Sequence, residues 1–142
     1  MKNSDQEETI IEAKASMTQE QLKTHTMLML SEIVLKQFIE NIMLNIEITQ
    51  VDDKQNVIVS LRASEFLSEI TLLKDSYNLL NEIQHVEAIN NITLKWFMPV
   101  KNKNTEILTI TFDEETLVAF DEISYKDIPQ ASTHYIKHAH LD

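Results

Sequence analysis

Three histidines close the chain: His134, His138 and His140 stand in "HYIKHAHLD", ahead of Asp142. On a helix, His134 and His138 would share a face at i, i+4, a spacing that suits a metal ion. A metal site also needs fixed partners behind its ligands, and a chain terminus seldom supplies them. The tail therefore reads as a short helix or a disordered segment, and no metal or cofactor is expected. Carboxylates are the next candidates. Asp113, Glu114 and Glu115 adjoin, as do Asp121 and Glu122. Acid–base catalysis needs two such groups held in different environments, whereas adjacent acids in a polar turn are solvated alike. His25 and His85 are isolated in the sequence, and no Ser–His–Asp pattern is legible. A third set mixes charge with aromatic rings. Lys95, Lys101 and Lys103 lie beside Trp96 and Phe97, which are the ingredients of a single-strand nucleic-acid platform. Strand alternation sends Trp96 to the face opposite Lys95 and Phe97, where core packing accounts for it.

Composition narrows the chemistry further. The 142 residues include no glycine, where average usage would give about ten. Glycine takes positive φ without steric cost and lets a ligand approach the backbone. Its absence removes phosphate-binding loops, dinucleotide turns and nucleophile elbows together. Cysteine is absent too, so thiol catalysis, disulfides and thiolate zinc sites are excluded. The net charge is −11, from 23 acids and 12 bases. A field of that sign repels phosphate backbones, disfavours nucleic acid and favours a basic protein surface.

The elements follow from apolar spacing. Residues 1–17 are polar and acidic and read as a flexible segment. A single α+β domain is expected over 18–128, followed by a tail over 129–142. Residues 18–43 read as a helix with a capping box between Thr18 and Gln21. Its stripe runs through Met27, Leu30, Val34, Phe38 and Ile42, widened by Leu28, Leu35 and Ile39. A stripe that broad implies cover by a sheet or a partner, and a homodimer is one way to supply it. Residues 44–62 alternate as a hairpin about "DDKQN", where Asp and Asn replace the missing glycine. Residues 63–88 return to helical spacing, as one bent helix or two. The helix would start at Ser64, with Phe66, Leu67, Ile70 and Leu73 on one face. Residues 92–100 and 106–112 read as two paired strands around "KNKNT". Residues 113–127 read as a short helix, with Leu117, Val118 and Phe120 inward, or as a strand. The stretch "TMLMLSEIVLKQFIENIML" carries Glu32, Lys36, Gln37 and Glu40, which disfavours a membrane helix. With a polar start and no apolar leader, the chain is expected to be cytoplasmic.

The order helix, strand, strand, helix, strand is that of a KH-like sheet packed against helices, here with an extra strand and a C-terminal extension. In a KH-like domain the sheet order would be non-sequential. Residues 56–96, "NVIVSLRASEFLSEITLLKDSYNLLNEIQHVEAINNITLKW", resemble the central segment of the DciA family, which assists the bacterial replicative helicase. Ser64 and Phe66 stand at its start, Glu69 and Leu73–Lys74 in its middle, and Leu80–Asn81 beyond. Ile92, Leu94 and Lys95 form its returning strand. The chain departs from the family in carrying Phe66 where a tryptophan usually stands, and in being acidic. The resemblance implies a non-enzymatic adaptor for DNA replication. The charge implies an alternative, an acidic secretion chaperone or immunity-type protein that binds a basic effector or toxin. Phe66, Lys74, Lys95, Phe97, Lys101 and Lys103 are the candidate partner-binding residues.

Overall fold

The computed structural model of the protein describes residues 18–63 and 68–141. The readings of residues 1–17 and of the helix start at Ser64 lie outside that range, as does Phe66. Helix α1 is Gln19–Phe38. Its capping box forms as the sequence predicts: Thr18 Oγ1 accepts from Gln21 N at 3.1 Å, and Gln21 Oε1 accepts from Thr18 N at 2.9 Å. The helix stops earlier than 43, because Ile39 turns to φ 63° and ends the hydrogen-bond ladder.

Strands β1 (Met43–Val51) and β2 (Lys54–Arg62) form the expected hairpin, turning on Asp52 and Asp53. Asp52 sits at φ 56°, the left-handed region that Asp tolerates better than most residues. Helix α2 (Glu69–Ile83) is a single helix capped by Ser68. Strand β3 (Ile89–Val100) begins three residues before the alternating pattern does. Strand β4 (Lys103–Asp113) follows a two-residue turn, with Lys101 and Asn102 both at positive φ. That pair of positive angles is the hairpin geometry whose twist matches the flanking strands.

Helix α3 (Glu114–Val118) resolves the two readings of 113–127 in favour of a helix, continued by 3₁₀ turns at Phe120–Glu122 and Tyr125–Asp127. Asp113 caps it by accepting from Thr116 N at 2.8 Å. These Thr116 hydrogen bonds hold the Asp113 carboxyl below its usual range. Leu117 and Phe120 face inward as expected, but Val118 is exposed. Ile70, read as core-facing, is exposed as well. Its helix turns Leu72, Leu73, Leu79, Leu80 and Ile83 inward instead.

The tail is a correction. A short helix, α4 (Ile128–Ala131), does form, but His134–Lys137 is a strand, β5, paired antiparallel with β4. Tyr135 donates its hydroxyl to Glu69 Oε2 at 2.6 Å, and Lys137 lies 3.4 Å from Glu69 Oε1. Burial, then the neighbouring Glu69 carboxylate, raises the Tyr135 hydroxyl well above its ordinary range. The phenol therefore stays a donor and ties β5 to α2.

The result is an α+β fold with a five-stranded sheet and a C-terminal extension. The sheet order is β1-β2-β3-β4-β5, which corrects the non-sequential order expected of a KH-like domain. One pair, β2–β3, is parallel and joined through α2, whereas the other three pairs are antiparallel. Parallel neighbours need a crossover of about a dozen residues, and α2 supplies it.

Both long helices pack on one face of the sheet. Val57, Val59 and Leu61 of β2 meet Ile92, Leu94 and Trp96 of β3 and Leu108, Ile110 and Phe112 of β4 in the core. Trp96 donates its indole N–H to Ser76 Oγ of α2 at 2.8 Å and meets Phe38 of α1 edge-on at 6.1 Å. Phe120 stacks on Tyr77 and meets Phe112 edge-on. Thr26 of α1 donates to Gln55 Oε1 of β2 at 2.6 Å inside this layer, which fixes the helix over the strand. Gln55 Nε2 is buried without a partner among the described residues. No described helix is long and apolar enough to cross a membrane.

Candidate functional site: the groove between the long helices

The candidate partner-binding residues do not gather at one place. Lys95 and Phe97 share the sheet face turned away from the helices, since their neighbours Leu94, Trp96 and Met98 are buried on the helix side. Lys95 lies 3.6 Å from Glu106 Oε1, and Glu106 Oε2 accepts from Thr109 Oγ1. The lysine is thus paired within its own sheet. Lys101 and Lys103 flank the β3–β4 turn at the end of that strand. Lys74 is across the molecule on α2, its ammonium 5.2 Å from the centre of the Tyr125 ring. The histidine pair at 134 and 138 is not helical, because β5 takes the first of them. His138 stacks on His140 at 5.2 Å. No group of three or more His, Asp or Glu side chains among the described residues is placed to hold a metal ion.

What the fold does gather is a groove between α1 and α2. Its main cleft is about 530 Å³. The floor is apolar, from Met29 and Ile33 of α1 and Val86 beyond α2. The walls carry Glu32, Lys36 and Gln37 from one helix and Asn78, Asn81 and Glu82 from the other, with His85 beyond them. Spacing of three and four explains each wall. Met29, Ile33 and Lys36 stand one above another on α1, and Asn81 and Glu82 stand one turn beyond Asn78 on α2. A second cleft of about 410 Å³ shares Met29 and His85 with the first and extends it past His25, Asp53 and Glu87. The two adjoin at Met29 and His85, and the linings of this channel together carry four carboxylates, those of Glu32, Asp53, Glu82 and Glu87, and one lysine. At its other end Gln37 donates its amide to the Asp75 backbone carbonyl at 3.0 Å. Burial pushes the Asp75 carboxyl up from its usual range.

Charge is segregated along the strands as well. At one end of the sheet meet the Asp52–Asp53 turn, Glu87 before β3, and Asp113, Glu114 and Glu115 after β4, with Lys54 paired to Glu114. Gln84 brings Asp121 to the same end through a 2.8 Å hydrogen bond. The opposite end holds Lys101, Lys103 and Arg62, with Glu40 beside the arginine. Asp53 and Glu87 of the channel lie at the acidic end, so its own carboxylates add to that field. Sequence reasoning missed this site because its residues come from three separate stretches, 22–37, Asp53 and 78–88. The legible signal was a row of polar residues at helical spacing beside the apolar stripe of each helix. Comparison with protein-family models, curated proteins and solved structures finds no match to this chain.

Proposed function

We propose that this chain is a non-enzymatic, cytoplasmic adaptor that takes a basic, amphipathic segment of a partner protein into the α1–α2 channel. One observation carries the reading: a channel with an apolar floor and four carboxylates against one lysine reaches the acidic end of the sheet at Asp53 and Glu87. An amphipathic helix laid in such a groove buries its apolar face on Met29, Ile33 and Val86 while its cations meet the rim. Long-range attraction from a chain of net charge −11 raises the rate of encounter with basic partners.

Two partners are to be tried first. The resemblance of residues 56–96, which span β2, α2 and most of β3, names the replicative helicase and a role in DNA replication. The charge names a basic effector or toxin, which would make the chain an acidic chaperone or immunity-type protein. The test is fluorescence anisotropy with basic segments of each partner, compared with peptides of the same apolar pattern carrying acidic residues. Binding to the basic segment should weaken at least about tenfold between low and moderate salt. It should be lost in the Glu32→Lys, Glu82→Lys double variant. Equal binding of acidic and basic peptides, or full binding by the double variant, would sink the reading.

A further inference from the structure

We infer that the β1 edge of the sheet, with the neighbouring side of α1, is a self-association surface that seats a second copy of this chain. Strand β1 pairs only with β2 among the described residues, so its outer backbone N–H and C=O groups are satisfied by water or by another strand. Natural edge strands are guarded by Lys, Pro or inward charges. This nine-residue edge, "MLNIEITQV", has no lysine or proline and a single charge, Glu47. A bulge at Met43/Asn45 blunts only its first turn of pairing. The side of α1 turned toward this edge is marked by Ser31, whose hydroxyl lies 3.9 Å from Met43 Sδ. Leu28 and Leu35, three and four residues from Ser31, flank it there. They are 60% and 47% exposed, and Leu44 on the edge is 47% exposed.

Charge selects a copy of the same chain over a basic partner at this surface. The strand carries one carboxylate, and α1 sets Glu20 and Lys23 beside its Ile48–Gln50 stretch, whereas the channel and the acidic end of the sheet, which begins at the Asp52–Asp53 turn after β1, carry most of the described acids. Two copies of a chain of charge −11 repel least where the surface is nearly neutral, and the middle of this edge is such a place. Size agrees with a small closed dimer. Nine strand residues span about 30 Å, and edge plus helix are about 20 Å deep, so each copy contributes about 600 Å². That is a little below the roughly 800 Å² per partner of a standard interface. The strands run antiparallel about a two-fold axis displaced from Glu47, because an axis through it would set two carboxylates opposite one another.

The experiment is light scattering on the full chain from about 1 to 100 μM. The expected mass at the upper end is twice that of the 16.5 kDa chain. The Leu28→Glu, Leu35→Glu, Leu44→Glu variant should raise the dissociation constant at least about 100-fold. Circular dichroism verifies its fold. Ile136, exposed on β5 at the far edge, supplies the control: Ile136→Glu should leave the dimer intact. A mass that stays at one chain, a mass that climbs without limit, or a triple variant that remains dimeric overturns the inference. Binding of basic segments in the channel is read separately and does not depend on the outcome.

Discussion

Trp96 and Phe97 are adjacent on β3 and meet opposite fates. Trp96 is fully buried beneath α1 and α2, with its one polar atom bonded to Ser76. Phe97 sits half-buried on the face that no described helix covers, beside the Lys95–Glu106 pair and the Thr93–Thr111 hydrogen bond. The covered face is Ile, Leu, Val and aromatic, whereas the bare face runs through Asn56, Ser60, Thr93, Thr109 and Thr111. Period-two alternation separates an apolar layer from a polar one, in which Thr93 and Thr109 are buried among their hydrogen-bonded neighbours. The lesson concerns function as well. Aromatic and basic residues adjacent in sequence make a stacking platform only if they share a face and keep their charges free. Here the larger ring is in the core and the nearest lysine is paired.

Mutations at the two faces sharpen this contrast. Trp96→Ala should cost about 3–5 kcal/mol in urea unfolding, from lost burial and the cavity left behind. Phe97→Ala should cost under about 1 kcal/mol. Equal losses would mean that something covers the bare face. On the helix side, Asp75→Asn tests the burial of a carboxylate. Because burial raises the folded-state value of Asp75, its charged form is disfavoured in the native state. Stability is therefore lost as pH rises from the unfolded carboxylate value through the folded one. The variant should melt above the parent at neutral pH, and the difference should close in acid. A difference that persists unchanged at low pH would contradict this. The smallest effect is expected on the bare face. Lys95→Met should shift stability by about 0–1 kcal/mol, since half-exposed ion pairs contribute little.

The α+β class was legible because alternation and helical spacing are local signals. Val57, Val59 and Leu61 show the inward face of β2, and Thr18 with Gln21 shows where α1 begins. The tail was misread because four residues carry no usable period: "HYIK" becomes a strand only through β4 and the Tyr135–Glu69 bond, whose partners lie 66 residues apart. The channel was hidden for the same reason. Glu32 and Glu82 are an ordinary solvated acid on each of two helices until a parallel β2–β3 pair sets those helices side by side.

The joints that lead from helix to strand have a kinetic consequence. Ile39 follows α1 at φ 63° and Ala88 precedes β3 at φ 69°. Neither side chain chooses that conformation by itself, which costs roughly 1–2 kcal/mol without glycine. Each joint is held bent by the layers it connects, like a hinge under spring load. Refolding should therefore set both bends late, after the layers have collapsed, and unfolding should release them early, shedding the helices before the sheet comes apart.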